Sequence, residues 1–88
     1  MDRNKDESAR LVTGLDGVQR SRKREAELND LIHGVFTSPN GKVALDYLRA
    51  ITTNFVHGPE ASDAQIRHRE GMRFLVAIIE SRIKGFQK

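Results

Sequence analysis

The sequence predicts an all-α protein, a small three-helix hairpin or bundle with a flexible N-terminal arm. Apolar side chains recur with the helical period of 3.6 in three separate segments, and each segment has its own start or stop signal. The residues before them have few apolar side chains and no sustained period. We therefore expect a flexible arm over residues 1–19, one helical domain over residues 20–88 and no β-sheet.

The first helix is predicted over residues 21–36. Its apolar stripe follows the spacing i, i+3, i+4, i+7, i+8 and consists of Leu28, Leu31, Ile32, Val35 and Phe36. Residues 20–27 form its solvated N-terminal part in this interpretation, with Glu25 and Asn29 on the outer side. The helix should end at Thr37 and Ser38, because a residue before proline is disfavoured in helical geometry.

The second helix is predicted over residues 39–55. Pro39 suits the first helical turn, where its missing N–H is no loss, and Ser38 before it can cap the free amides. Gly41 in the first turn should allow close approach to the end of the first helix. Residues 57–59, His-Gly-Pro, mark a clear break after the second helix.

The third helix is predicted over residues 62–84, ending before Gly85. Ser62 and Gln65 have the spacing of a capping box. Its stripe consists of Ile66, Met72, Leu75, Val76, Ile79, Ile83 and Phe86, and is broadened by Phe74 and Ile78. This breadth predicts that the third helix is central and the most buried of the three.

Composition excludes several classes of protein. The chain has 15 basic and 12 acidic residues, a net charge of +3 and no cysteine, which rules out disulfides and thiolate zinc sites. No apolar run approaches the roughly 18–20 residues needed to span a bilayer, and the charged N-terminus does not resemble a signal peptide. We expect a soluble intracellular protein with no membrane partner.

No catalytic or metal constellation is visible in the sequence. His57 and His68 lie eleven residues apart, whereas a helical zinc pair needs i, i+4 spacing. Polar neighbours such as Asp46 and Tyr47, or Glu70 and Arg73, have the spacing of ordinary helix surface pairs. We expect no enzymatic activity, no cofactor and no metal.

Two groups of basic residues are candidate partner-binding sites. The first consists of Arg20, Arg22, Lys23 and Arg24, and it can be a solvated helix start balanced by Glu25 and Glu27 or a contact for an acidic protein or nucleic acid. The second is Arg69 and Arg73 on either side of Gly71. Close helix packing at Gly71 is the favoured interpretation, and a pair of donors for a partner carboxylate is the alternative.

The apolar residues of the arm are the third candidate. Leu11, Val12 and Leu15 could enter apolar grooves of a neighbouring protein, with Gly14 and Gly17 letting the arm follow its surface. Deleting residues 1–19 should then leave the helices folded and weaken the contact.

A family resemblance adds a biological context. Residues 36–48 have the pattern Phe36-x-Ser38-x-x-Gly41-x-x-Ala44-Leu45-x-x-Leu48, and Arg69-Glu70-Gly71-x-Arg73 follows before an apolar helix. Together they resemble a family of small helical proteins from short-tailed bacteriophages, over residues 28–84. Ala44 stands where that family commonly has valine, and Met72 where a polar residue is common.

The resemblance implies a place among the genes for phage head and tail morphogenesis. A non-enzymatic minor virion or assembly protein follows from it, docking in several copies on a larger protein such as the portal or tail. The alternative is a small phage regulator that binds nucleic acid or a host enzyme through residues 20–24. The expected location is the virion or the host cytoplasm.

Overall fold

A computed structural model describes residues 9–85, which form a β-hairpin followed by three helices. The strands are β1 (Leu11–Thr13) and β2 (Gln19–Ser21), and the helices are α1 (Arg22–Phe36), α2 (Pro39–Ala50) and α3 (Asp63–Lys84). The three predicted helices are confirmed. The prediction of no sheet is wrong, since the chain is mostly helical with one small antiparallel sheet. Residues 1–8 of the predicted arm and Phe86 lie outside the described residues.

The hairpin pairs β1 with β2 in the register Leu11↔Ser21, Val12↔Arg20 and Thr13↔Gln19. Gly17 has φ of +84°, a left-handed conformation that favours glycine, and the carboxylate of Asp16 accepts the N–H of Val18. The predicted boundary between residues 19 and 20 therefore falls inside β2, and Arg20 lies in this strand instead of in the first helix. The flexibility of the arm in the free protein stays a prediction.

The junction between α1 and α2 is tight. The Ser38 hydroxyl donates to the Val35 carbonyl at 2.7 Å and accepts the Gly41 N–H at 3.0 Å, so one side chain closes α1 and caps α2. Gly41 is buried, and a Cβ there would overlap the carbonyl oxygen of Val35. The predicted close approach at Gly41 is confirmed.

The second helix is shorter than predicted, because α2 ends at Ala50 and not at residue 55. Residues 51–54 form turns instead. Thr52 and Thr53 are weak helix formers, and the Thr52 hydroxyl donates to the Leu48 carbonyl at 2.6 Å. Arginine side chains from α3 bind the carbonyls of Ile51, Thr52 and Phe55 in this connection.

The third helix begins with the predicted capping box. The Ser62 hydroxyl accepts the Gln65 N–H at 3.1 Å, and the Gln65 side chain accepts the Ser62 N–H at 2.9 Å. Helix α3 ends at Lys84 with Gly85 as its C-cap, as predicted. No helix within residues 9–85 is long and apolar enough to cross a membrane.

The core of the described residues is small. Leu45 and Val76 are its buried hydrophobic side chains, and Thr52 and Arg82 are buried with them. The Cα atoms lie in a slab only 12 Å thick. Within the predicted stripe of α3, Ile66, Phe74 and Leu75 remain 39%, 62% and 59% exposed, so the structure buries this stripe only in part.

Candidate functional site

Arg82 is the centre of a polar network that joins the hairpin, α1 and α3. Its side chain is 5% exposed, and its Nη1 donates to Glu25 Oε2 at 2.9 Å and to Asn29 Oδ1 at 3.1 Å. Its Nη2 lies 3.5 Å from Asp16 Oδ2 in the hairpin turn. A single buried guanidinium therefore ties together groups more than fifty residues apart in sequence.

Arg20 completes the network from β2. Its guanidinium contacts Asp16 Oδ2 at 2.7 Å and Glu25 Oε1 at 3.1 Å. Glu25 also accepts the N–H of Leu15 at 3.3 Å. The prediction that Glu25 and Asn29 lie on the outer side of the first helix is wrong. Both side chains point toward the interior, where they contact Arg82, and Glu25 also contacts the hairpin.

The carboxylates of this network have lowered pKa values. Hydrogen bonds from Arg20 and from the Val18 N–H hold the pKa of Asp16 well below its usual range. Burial works to raise the pKa of Glu25, but hydrogen bonds from Arg82, the Leu15 N–H and Arg20 outweigh burial, so this pKa is also lowered. Both side chains therefore stabilise the fold as carboxylates.

The lowered pKa values predict sensitivity to acid. A depressed carboxylate pKa contributes stability that is complete above the unfolded pKa of about 4 and is lost as the pH falls below it. We expect the thermal midpoint to stay level between about pH 7 and 5 and to fall below about pH 4. In the variant D16N/E25Q, the thermal midpoint measured by circular dichroism should fall less steeply below about pH 4 than in the wild type. An equally steep fall in that variant would contradict a stabilising role of these two carboxylates.

The structure distributes the predicted basic segment over different environments. Arg20 belongs to the network, and Arg24 Nη1 lies 3.5 Å from Glu27 Oε1 on the surface of α1. Arg22 and Lys23 are exposed at the start of α1. The segment therefore does not present its four cations as one group, and its role in partner binding stays a prediction.

Arg69 and Arg73 hold the chain that follows α2. Arg69 Nη1 donates to the Ile51 carbonyl, and Arg73 donates from Nε to the Thr52 carbonyl at 3.0 Å and from Nη2 to the Phe55 carbonyl at 2.7 Å. Arg69 also lies over the Phe55 ring, 3.7 Å from its centroid. These donors act within the chain, which supports a packing role, while contact with a partner stays a prediction.

The arginines on α3 should contribute measurably to stability. We expect R73Q to lower the free energy of unfolding by about 2 kcal/mol, because two half-buried carbonyls lose a charged donor. Exposed Arg67, on the same helix, provides the matched control R67Q, which should change stability by less than about 0.5 kcal/mol. Urea unfolding measures the free energy of unfolding of both variants. Equally small losses in R73Q and R67Q would contradict the stabilising role of Arg73.

Gly71 does not have the packing role predicted for it. Among residues 9–85, no atom outside its own helical turn lies within 4 Å of the position that a Cβ would take there, so no other described helix packs against it. Its helical neighbours Phe74 and Leu75 are exposed as well. The glycine therefore faces open space on the outer side of α3.

The apolar candidates of the arm lie on the hairpin. Leu11 and Leu15 are 64% and 47% exposed, Val12 is half-buried, and Val18 adds a further exposed side chain at 51%. The polar network under the turn fixes the position of these side chains relative to α1 and α3. The structure thus presents them on a β-hairpin that contacts α1 and α3, a feature that the sequence analysis did not predict.

An open cavity of about 880 Å³ lies beside the connection between α2 and α3. Phe55, His57, His68 and Arg69 are among its lining residues. Within residues 9–85, no group of three or more potential metal ligands comes together there or elsewhere. The cavity is the space between the loop and the first turns of α3.

The fold and these surfaces define a small, mostly helical protein with a β-hairpin and exposed apolar side chains. Residues 32–84 match the family of Bbp19-like phage proteins, and the chain belongs to this family. The predicted membership of a phage protein family is thereby confirmed, and the match contains both motifs that carried the resemblance. Searches of curated proteins and of solved structures found no match. The hairpin and the first turns of α1 precede the matched region.

Proposed function

We propose that this protein is a non-enzymatic minor virion or assembly protein of a short-tailed phage, encoded among head and tail morphogenesis genes. It binds, in several copies, to a larger structural protein such as the portal or tail. Membership of a phage protein family supports this, and so does a surface rich in exposed apolar side chains.

The hairpin carries the proposal. Leu11 and Leu15 are exposed on an element that the Arg82 network holds in place, so a partner would bind them without ordering a long segment. Burying each aliphatic side chain contributes roughly 1.5–3 kcal/mol. Several copies bound to one symmetric assembly would multiply this modest contribution.

Complementation of a phage lacking the gene tests the hairpin. We expect L11S/L15S to fold like the wild type, because both side chains are exposed, and to reduce the amount incorporated into particles at least tenfold. The control V56S changes a valine that is 86% exposed and lies outside the hairpin, and it should incorporate normally. Normal incorporation of L11S/L15S would contradict the proposal.

Deleting residues 1–19 is a less specific version of this test. The deletion removes Asp16, which contacts Arg20 and Arg82, and therefore changes the network as well as the apolar surface. The helices should still form, because their stripes begin at Leu28. The double substitution separates binding from folding more cleanly.

The rival function is a regulator that binds nucleic acid or a host enzyme through residues 20–24. Exposed Arg22 and Lys23 are the residues that such a function would use. It predicts a salt-sensitive DNA complex that is lost in R22A/K23A. A complex of that kind, together with absence from particles, would favour the regulator.

A further inference from the structure

One side of α3 carries an apolar stripe that the described part of the chain leaves largely exposed, with Ile78 half-buried. Gly71, Phe74, Leu75 and Ile78 follow the spacing i, i+3, i+4, i+7 and therefore share a helix face. Phe74 and Leu75 are more than half exposed, and nothing lies beside Gly71. Arg82, one further turn along this face, contacts Glu25 of α1, so the C-terminal end of the face is covered.

The fold has only one layer of helices at this place. Helical domains normally bury their apolar faces between at least two packed layers, whereas all Cα atoms here lie within a slab 12 Å thick. Two helices stacked face to face, with axes 8–10 Å apart, need a thicker arrangement. The described residues therefore provide no second layer over this face.

We propose that a second copy of this chain provides it, through antiparallel pairing of α3 with α3 about a two-fold axis between residues 74 and 75. This axis places Gly71 opposite Ile78 of the second copy and Phe74 opposite Leu75. Each large side chain then faces a glycine or another apolar side chain, and the Ile78 side chain of the second copy fills the open space at Gly71. The stripe is self-complementary in size as well as in chemistry.

Other occupants are less well supported by the sequence. Residues 1–8 and 86–88 contain only Met1 and Phe86 as large apolar side chains, too few to cover the stripe. The four stripe positions carry no charge that would select a charged partner. Phe74 and Leu75 expose on the order of 200 Å² of apolar area per copy, which suits the core of an interface of about 800 Å² per partner.

Analytical ultracentrifugation of the full chain tests the dimer independently of the proposed phage function. We expect a monomer–dimer equilibrium in the micromolar range. F74D should raise its dissociation constant at least about tenfold, while V43D, at an equally exposed valine on α2, should leave it unchanged. G71Q, which fills the open space, should also weaken the dimer while α3 stays helical.

Cross-linking tests the register of the pairing. The chain has no cysteine, so L75C introduces a single thiol close to the proposed axis, and V43C is the matched control. Mild oxidation should give a covalent dimer for L75C and not for V43C.

A monomer at all concentrations, or a dimer that F74D leaves intact, would overturn the proposal. The proposal would also be overturned if, in the phage particle, this face of α3 were covered only by a phage structural protein and not by a second copy of this chain.

Discussion

Replacing Gly41 with alanine is expected to cause the largest loss of stability of any conservative change in the chain. The Cβ of alanine would overlap the Val35 carbonyl oxygen, which is backbone and cannot turn away as a side chain can. The end of α1 and the start of α2 would have to separate, which also strains the Ser38 hydrogen bonds to both helices. We expect a loss of about 3 kcal/mol, a large share of the stability of a domain this small.

The matched control is G34A, in the interior of α1. Nothing lies within 4 Å of a Cβ at Gly34, so alanine should raise the free energy of unfolding by about 1 kcal/mol through helix propensity alone. The same substitution in two helices thus has opposite expected signs. Urea unfolding at one protein concentration measures both, and equal effects at the two positions would show that the α1–α2 junction is not close-packed.

R82A is expected to have the second-largest effect, a loss of about 3 kcal/mol. The substitution removes a guanidinium that is 5% exposed and leaves Glu25 and Asn29 with fewer donors in a water-poor site. It also removes the contact from α3 to Asp16 in the hairpin turn. Amide hydrogen exchange should therefore rise in β1 and β2 as well as at the end of α3.

The exposed pair of Arg24 and Glu27 provides the control. Both side chains are about half exposed, so R24A should change the free energy of unfolding by no more than about 0.5 kcal/mol. A double-mutant cycle of R82A with E25Q should give a coupling energy above about 1 kcal/mol. A loss as small for R82A as for R24A would mean that the network does not hold the hairpin.

The helices were predictable because their signals are local. Ser38 and Pro39 mark the start of α2, and Ser62 with Gln65 marks the start of α3, by hydrogen bonds within four residues of the cap. The apolar stripes predict the approximate lengths of the helices, because their spacing is also a local signal. The end of α2 was placed too late because the carbonyls after Ala50 bind arginines from another helix, which no local pattern indicates.

The hairpin was missed although it has a signal. Asp16-Gly17 is a turn dipeptide between Leu11-Val12-Thr13 and Val18-Gln19, a pattern that can indicate two short strands. The lack of apolar residues favoured a disordered arm instead. The hairpin contacts Glu25 of α1 and Arg82 of α3, and the long-range contact with Arg82 cannot be inferred from spacing along the chain.

The candidate site was predictable only in part. The sequence identifies Leu11, Val12 and Leu15 as apolar points, but not the hairpin that presents them. It grouped Arg20 with Arg22, Lys23 and Arg24, whereas the structure uses Arg20 inside the network. The sequence predicts close helix packing at Gly71 because a helical glycine needs a reason, whereas the structure leaves open space beside this glycine.

The most direct test of the proposed function is quantitative mass spectrometry of purified phage particles and of assembly intermediates. The proposal predicts this protein at a fixed ratio to the portal or tail protein in at least one of the two, unchanged by washing in high salt. Absence from both, with abundant expression early in infection, would contradict a virion or assembly role.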